Sequence, residues 1–168
     1  MPLKEPVTQV PVVRRRAIWW VPAALFFGCC VVFGLTAQTS SKVSVDVYAS
    51  SLAGWRIAAT GNPWLDDLDT TDIDVYGQLP DETVFIREAA NGHRVSHRLA
   101  GPIAAAVPAY WLRGAGDDPA NYSLVPEALT AAVAMATAMT LFFLAVRRRM
   151  GQVDALAATL VLGFATPI

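Results

Sequence analysis

The sequence predicts a mainly α, polytopic membrane protein. It has two full transmembrane helices, a truncated third, and an outer loop of interfacial helices with a small β-hairpin. Three observations predict this class. Hydrophobic residues make up 54% of the 168, mean hydropathy is +0.40, and the excess is gathered in blocks. Two arginine triplets, Arg14-Arg15-Arg16 and Arg147-Arg148-Arg149, each abut a long apolar run. Basic flanks resist translocation, so both triplets mark cytoplasmic ends and the chain between the runs lies on the other side. Charge is also partitioned, although the whole chain is only −1. The flanks assigned to the cytoplasm hold seven of the 13 basic residues, whereas residues 38–122 hold 11 of the 14 acids against six basic residues, a net of −5. Nucleic acid is excluded as a partner, because it needs a basic surface gathered in one place.

Residues 1–16 form a cytoplasmic tail, its polar part interrupted by Pro2, Pro6 and Pro11. The first span covers 17–37, and 21 residues suffice to cross the hydrocarbon. A cleavable signal would have a shorter core and a better small-x-small site than Thr36-Ala37-Gln38, so an uncleaved helix is favoured. Trp19 and Trp20 suit the inner interface, and Pro22 falls in the first turns, where proline is tolerated. Adjacent Cys29 and Cys30 lie inside the run, and two cysteines exclude a disulfide framework.

The outer segment, 38–123, opens with an amphipathic helix near 43–60. Val45, Tyr48, Leu52, Trp55 and Ala59 recur at helical spacing, and Gly61-Asn62-Pro63 stops it. This helix is expected to lie on the outer membrane surface. An acidic, turn-rich stretch follows to Glu82. Thr83 to Ile86, the Asn91-Gly92 turn and Arg94 to Ser96 then predict a hairpin. Residues 99–112 (LAGPIAAAVPAYWL) are apolar but too short to span, and predict an interfacial or re-entrant helix. The second span covers 124–146, with Glu127 outside, and 147–155 is a cytoplasmic loop. A third apolar run, 156–168, is shorter than a span, so the chain is expected to be the N-terminal part of a longer multi-span protein or a truncated gene product. The compartment is the plasma (inner) membrane.

Three groups of residues carry chemistry. Asp46 follows the first span by nine residues on an apolar-rich segment; it is either a solvated helix N-terminal acid or a functional carboxylate. Asp66, Asp67, Asp69, Asp72 and Asp74 supply oxygen ligands for a divalent cation, or form a solvated acidic loop; the glycine of a calcium-binding loop is absent from the run. His93, Arg94, His97 and Arg98 crowd the approach to the short apolar helix. The Asn-Gly turn argues against a helical zinc pair there, so no metal is assigned. These cations either bind a lipid phosphate or anchor the chain at the interface.

The layout resembles a known family. It combines a basic tail, a first span, an outer loop opening on Asp46-Val47-Tyr48, a helix ending in Gly61-Asn62-Pro63-Trp64, then Asn91-Gly92-His93 and a half-span ending in Pro108-Ala109-Tyr110. This is similar to the N-terminal region of the GT-C glycosyltransferases, which include protein O-mannosyltransferases, the lipid A aminoarabinose transferase and actinobacterial arabinofuranosyltransferases. The resemblance implies transfer of a sugar from a polyprenyl-phosphate donor to an extracytoplasmic acceptor. It implies that Asp46 is the first-loop catalytic acid, acting as general base or aligning the acceptor, sometimes with a divalent cation. It assigns Arg94, His97 and Arg98 to the donor phosphate. Many members carry Tyr-x-Pro-Gly ahead of the half-span, where this chain reads His97-Arg98-Leu99-Ala100-Gly101-Pro102. The implied partners are the bilayer, the lipid-linked sugar and further C-terminal transmembrane helices that complete the donor cavity, so this chain is expected to be inactive by itself. The alternative is a small non-enzymatic membrane protein whose acidic outer loop binds a partner or an ion.

Overall fold

The computed structural model describes residues 19–37, 45–66, 68, 86–118 and 121–165. Among them are five helices and one two-stranded sheet: α1 (Trp20–Thr36), α2 (Val45–Thr60), β1 (Ile86–Glu88), β2 (Arg94–Ser96), α3 (Ala100–Leu112), α4 (Val125–Val146) and α5 (Gln152–Phe164). The protein is mainly helical, and α4 is long and apolar enough to cross a membrane. Within the first predicted span, α1 is 17 residues long, with Ala17 and Ile18 outside the described residues.

Helices α1, α4 and α5 pack together around Val21, Leu25, Cys29, Ala136, Met139, Phe143 and Ala155. Small side chains let these helices approach closely. Cys29 Sγ lies 3.7 Å from Met139 Sδ, and Gly163 leaves the space that the Met139 side chain fills. Helices α1 and α4 run antiparallel. The Arg147 guanidinium sits 5.7 Å from the Trp19 ring at one end, while Phe33 and Thr36 meet the first turns of α4 at the other. The two arginine-flanked ends therefore share one end of the bundle. Outward faces stay apolar, with Phe27, Leu35, Leu141 and Val161 more than half exposed, a surface that marks membrane or partner contact.

The second unit packs α2 against α3, with the hairpin and Leu65 and Leu68 completing its core. Pairing runs antiparallel. Gly54 meets Ile103 and Ala106, and Ser51 meets Tyr110. A side chain on Gly54 would come 3.3 Å from the Ile103 carbonyl, so glycine sets this close approach. Residues 48–56 of α2 are buried apart from half-buried Ser50, so the apolar stripe packs within the chain. The apolar stripe is covered by α3 and the hairpin, because protein side chains reach it first. The strongly exposed apolar groups of this unit lie instead around α3, at Leu99, Trp111 and Leu112.

Two element boundaries move. Strand β1 begins at Ile86, where the expected strand ended, and residues 83–85 lie outside the described residues. Its register pairs Ile86 with Ser96 and Glu88 with Arg94. The turn is closed by Ala89 N–H to His93 O at 2.8 Å, with Gly92 at φ +82°. That five-residue connection, rather than a longer loop, moves the first strand forward. Helix α5 begins at Gln152, inside the expected loop, because extended Gly151 redirects the chain and Asp154 suits the positive end of a first turn. Residues 166–168 lie outside the described residues.

Candidate functional site

Where α2, α3 and the start of α4 converge, four hydroxyls (Ser50, Ser51, Tyr110 and Tyr122) and one carboxylate meet in apolar surroundings. Ser51 is the hub. Its Oγ accepts from Tyr110 OH at 3.2 Å and shares a short hydrogen bond with Tyr122 OH. Glu127, in the first turn of α4, receives Ser50 at 3.3 Å. Ser50 Oγ also lies 2.8 Å from the Val47 carbonyl, so its one proton cannot serve both acceptors at once. Glu127 Oε2 is buried with no hydrogen-bond partner among the described residues. The helix start favours a negative group here, which accounts for part of its tolerance.

Burial holds the phenols in the neutral form. It pushes the Tyr48 and Tyr110 hydroxyls well above the ordinary tyrosine range, and the Ser51 contact at Tyr110 offsets it only in part. Tyr122 is pushed further by burial and then by neighbouring Tyr110. Tyr110 and Tyr122 therefore serve as neutral hydrogen-bonding groups, not as phenolates, while the Tyr48 hydroxyl has no hydrogen-bond partner among the described residues. The Tyr122 ring is clamped edge-on by Tyr48 at 5.5 Å and by Trp55 at 5.8 Å.

Beside this cluster lies a cavity of about 590 Å³ between the end of α1, the start of α2 and the first half of α4. Phe33, Val47, Ala128, Ala132 and Met135 line it, and the small alanines of α4 form its floor. The Thr36 hydroxyl returns to the Val32 carbonyl at 2.8 Å, so Glu127 is the charged group in the wall. An apolar groove with one carboxylate in its wall suits a mainly apolar ligand.

The predicted site residues divide between two places. Asp46 stands in the first turn of α2, one residue before groove-lining Val47. Arg94, His97 and Arg98 stand on or after β2, beyond the opposite end of α2, and a helix of that length separates them from Asp46 by about 20 Å. The structure does not bring them together. Of the cations, His97 is exposed and Arg94 and Arg98 are half-buried. The Arg94 backbone has a structural task. Its N–H donates to Asp66 Oδ1 at 2.5 Å and its carbonyl accepts Leu65 N–H at 2.9 Å.

Asp66 is therefore no free loop acid. His93 Nδ1 lies 2.6 Å from its Oδ2, and the His93 ring stacks on Trp64 at 4.0 Å. The Arg94 N–H, then the His93 hydrogen bond, hold the Asp66 carboxyl below the usual range. Asp69, Asp72 and Asp74 lie outside the described residues, as does Asp67. No group of three metal-ligating side chains occurs among the described residues.

Sequence reasoning missed Ser50, Ser51, Tyr110, Tyr122 and the inward role of Glu127. One signal was present: Glu127 is the one acid within the 124–146 run. Serines and tyrosines from three separate segments carry no shared spacing, so their meeting has no linear signature. Neither a family model, nor a curated protein, nor a solved structure matches this chain.

Proposed function

We propose that this chain is the N-terminal region of a GT-C-type, multi-span glycosyltransferase of the plasma membrane, working from a polyprenyl-phosphate sugar. In this reading α1 and α4 cross the bilayer with their arginine triplets inside, and α2, α3 and the hairpin stand outside. The observation that carries it is the apolar groove between α1 and α4, which opens beneath the α2 turn holding Asp46. A lipid-borne donor needs such an arrangement: an apolar track for its chain, leading to an acid that can take a proton from an acceptor hydroxyl. The shared end of Trp19 and Arg147 supports the paired cytoplasmic ends. Asp46 is the general base. Arg94, His97 and Arg98, a helix length away, anchor the outer unit to lipid phosphates rather than hold the reacting phosphate.

The test uses the chain in proteoliposomes with a photoreactive polyprenyl phosphate. Labelling is expected within Ala128 to Met135, and Ala132→Trp, which fills the groove, is expected to abolish it. Labelling that is undiminished in A132W, or that falls elsewhere on the chain, removes the donor groove from this reading. Topology is checked by single cysteines at 117 and 148 in a background with Cys29 and Cys30 replaced. An impermeant maleimide is expected to reach position 117 directly and position 148 only after permeabilisation.

A further inference from the structure

Three arginines follow the end of α4, and the fold leaves their charge uncompensated. Arg147 N–H returns to the Phe143 carbonyl at 2.9 Å, and Arg149 and Met150 N–H both return to the Val146 carbonyl, at 2.9 and 3.2 Å. The link to α5 is therefore a tight, hydrogen-bonded turn that fixes where the three side chains start. Arg147 is half-buried, its guanidinium 5.7 Å from both the Trp19 and the Phe143 ring, whereas Arg148 and Arg149 are exposed. Among the described residues no carboxylate pairs with any of the three. Asp154, the one acid after Glu127 in the sequence, lies exposed in the first turn of α5. In the sequence, Arg14-Arg15-Arg16 precede Trp19 by three to five residues, with no acid between Glu5 and Asp46 to offset them.

What surrounds these cations is apolar. Trp19, Trp20, Met150 and Val153 are all exposed at the same end of the bundle, and the outward faces continue from there through Phe27 and Leu141. A level at which an apolar helix surface gives way to exposed indoles and unpaired arginines matches the headgroup layer of a bilayer. Nucleic acid or a soluble acidic protein would satisfy the charge but leave the indoles and aliphatic side chains uncovered. A phospholipid satisfies both, placing its phosphate on arginine and its acyl chains along the helix faces. Arginine is suited to the first contact, because its weakly hydrated planar fork matches phosphate in a bidentate way.

We propose that Arg147, Arg148 and Arg149, together with Trp19, form a binding site for the headgroups of anionic phospholipids in the leaflet at this end. The two rings hold Arg147 in place, while Arg148 and Arg149 supply mobile phosphate contacts. The site rests on the reading that α1 and α4 cross a bilayer, and it stands whether or not the chain belongs to a glycosyltransferase.

Proteoliposomes carrying the chain are probed with spin-labelled phosphatidylcholine and spin-labelled phosphatidylglycerol, and the motionally restricted fraction of each is measured by electron paramagnetic resonance. A restricted phosphatidylcholine component reports that the helices sit in the bilayer; its absence overturns the membrane reading and this proposal with it. Where that component is present, phosphatidylglycerol is expected to be preferred about 5-fold. The preference is expected to vanish at about 1 M salt, where the Debye length is about 3 Å. Arg148→Gln combined with Arg149→Gln is expected to bring it near parity. Both side chains are exposed and Arg147 keeps its ring contacts, so this double variant leaves the helix packing undisturbed. Equal restriction of the two lipids by the wild-type chain, or an undiminished preference in the double variant, overturns the proposal and leaves the membrane reading intact. A preference lost instead in R94Q/R98Q overturns it in favour of the outer unit.

Discussion

Tyr110 OH donates to Ser51 Oγ across 3.2 Å, joining the end of α3 to the first half of α2 where neither residue is more than 2% exposed. Ser51 is the shared partner of Tyr110 and Tyr122, which makes its loss costlier than the loss of either phenol.

Tyr110→Phe is expected to lower stability by about 1 kcal/mol, because Ser51 keeps Tyr122. Ser51→Ala is expected to cost about 2 kcal/mol, since both phenols lose a partner in a buried setting. Denaturant unfolding in mild detergent, followed by tryptophan fluorescence, measures both. Equal costs would place the hub elsewhere.

Gly54 sets the spacing of α2 and α3. Gly54→Ala pushes against a carbonyl at 3.3 Å and is expected to cost about 1 kcal/mol, with Gly54→Leu near 3 kcal/mol. The same unfolding series checks the order, and an unchanged Gly54→Leu would show that α3 does not rest there.

Glu127 is only partly satisfied, with Oε1 receiving Ser50 and Oε2 without a partner among the described residues. A buried carboxylate with one unpartnered oxygen is a poor contributor to stability, so Glu127→Gln is expected to leave the thermal midpoint unchanged or raised. A large fall in midpoint would make the carboxylate structural.

The Asp66 clasp gives acid sensitivity with a definite sign. Its carboxyl is held below the unfolded value by Arg94 N–H and His93, so its contribution is present above that value and lost as pH falls through the lower folded one. Protection of the Arg94 amide against hydrogen exchange is expected to decline below about pH 4. In Asp66→Asn that pH dependence is expected to disappear. Persistence of the decline in D66N would assign it to another group.

Helix periodicity located α2 through Tyr48, Leu52 and Trp55, and continuous apolar runs located α1, α3 and α4, because those patterns are local and one element deep. The Asn91-Gly92 pair located the turn, since the chain there takes a positive φ that glycine accepts without strain. Apolarity misplaced the start of α5, which is set by Gly151 and Asp154 rather than by the hydrophobic run. What covers the α2 stripe was not legible, because water, lipid and a neighbouring helix all select the same periodicity. Asp46 and Glu127 were both visible as acids beside apolar runs. Only tertiary structure decided that Glu127 turns inward to Ser50, while Arg94 spends its backbone on Asp66 at the far end of α2. The reason is physical: segments dictate their own conformation and polarity, but which polar groups meet depends on how closely the helices approach. Here Gly54 and the alanines of α4 set that approach.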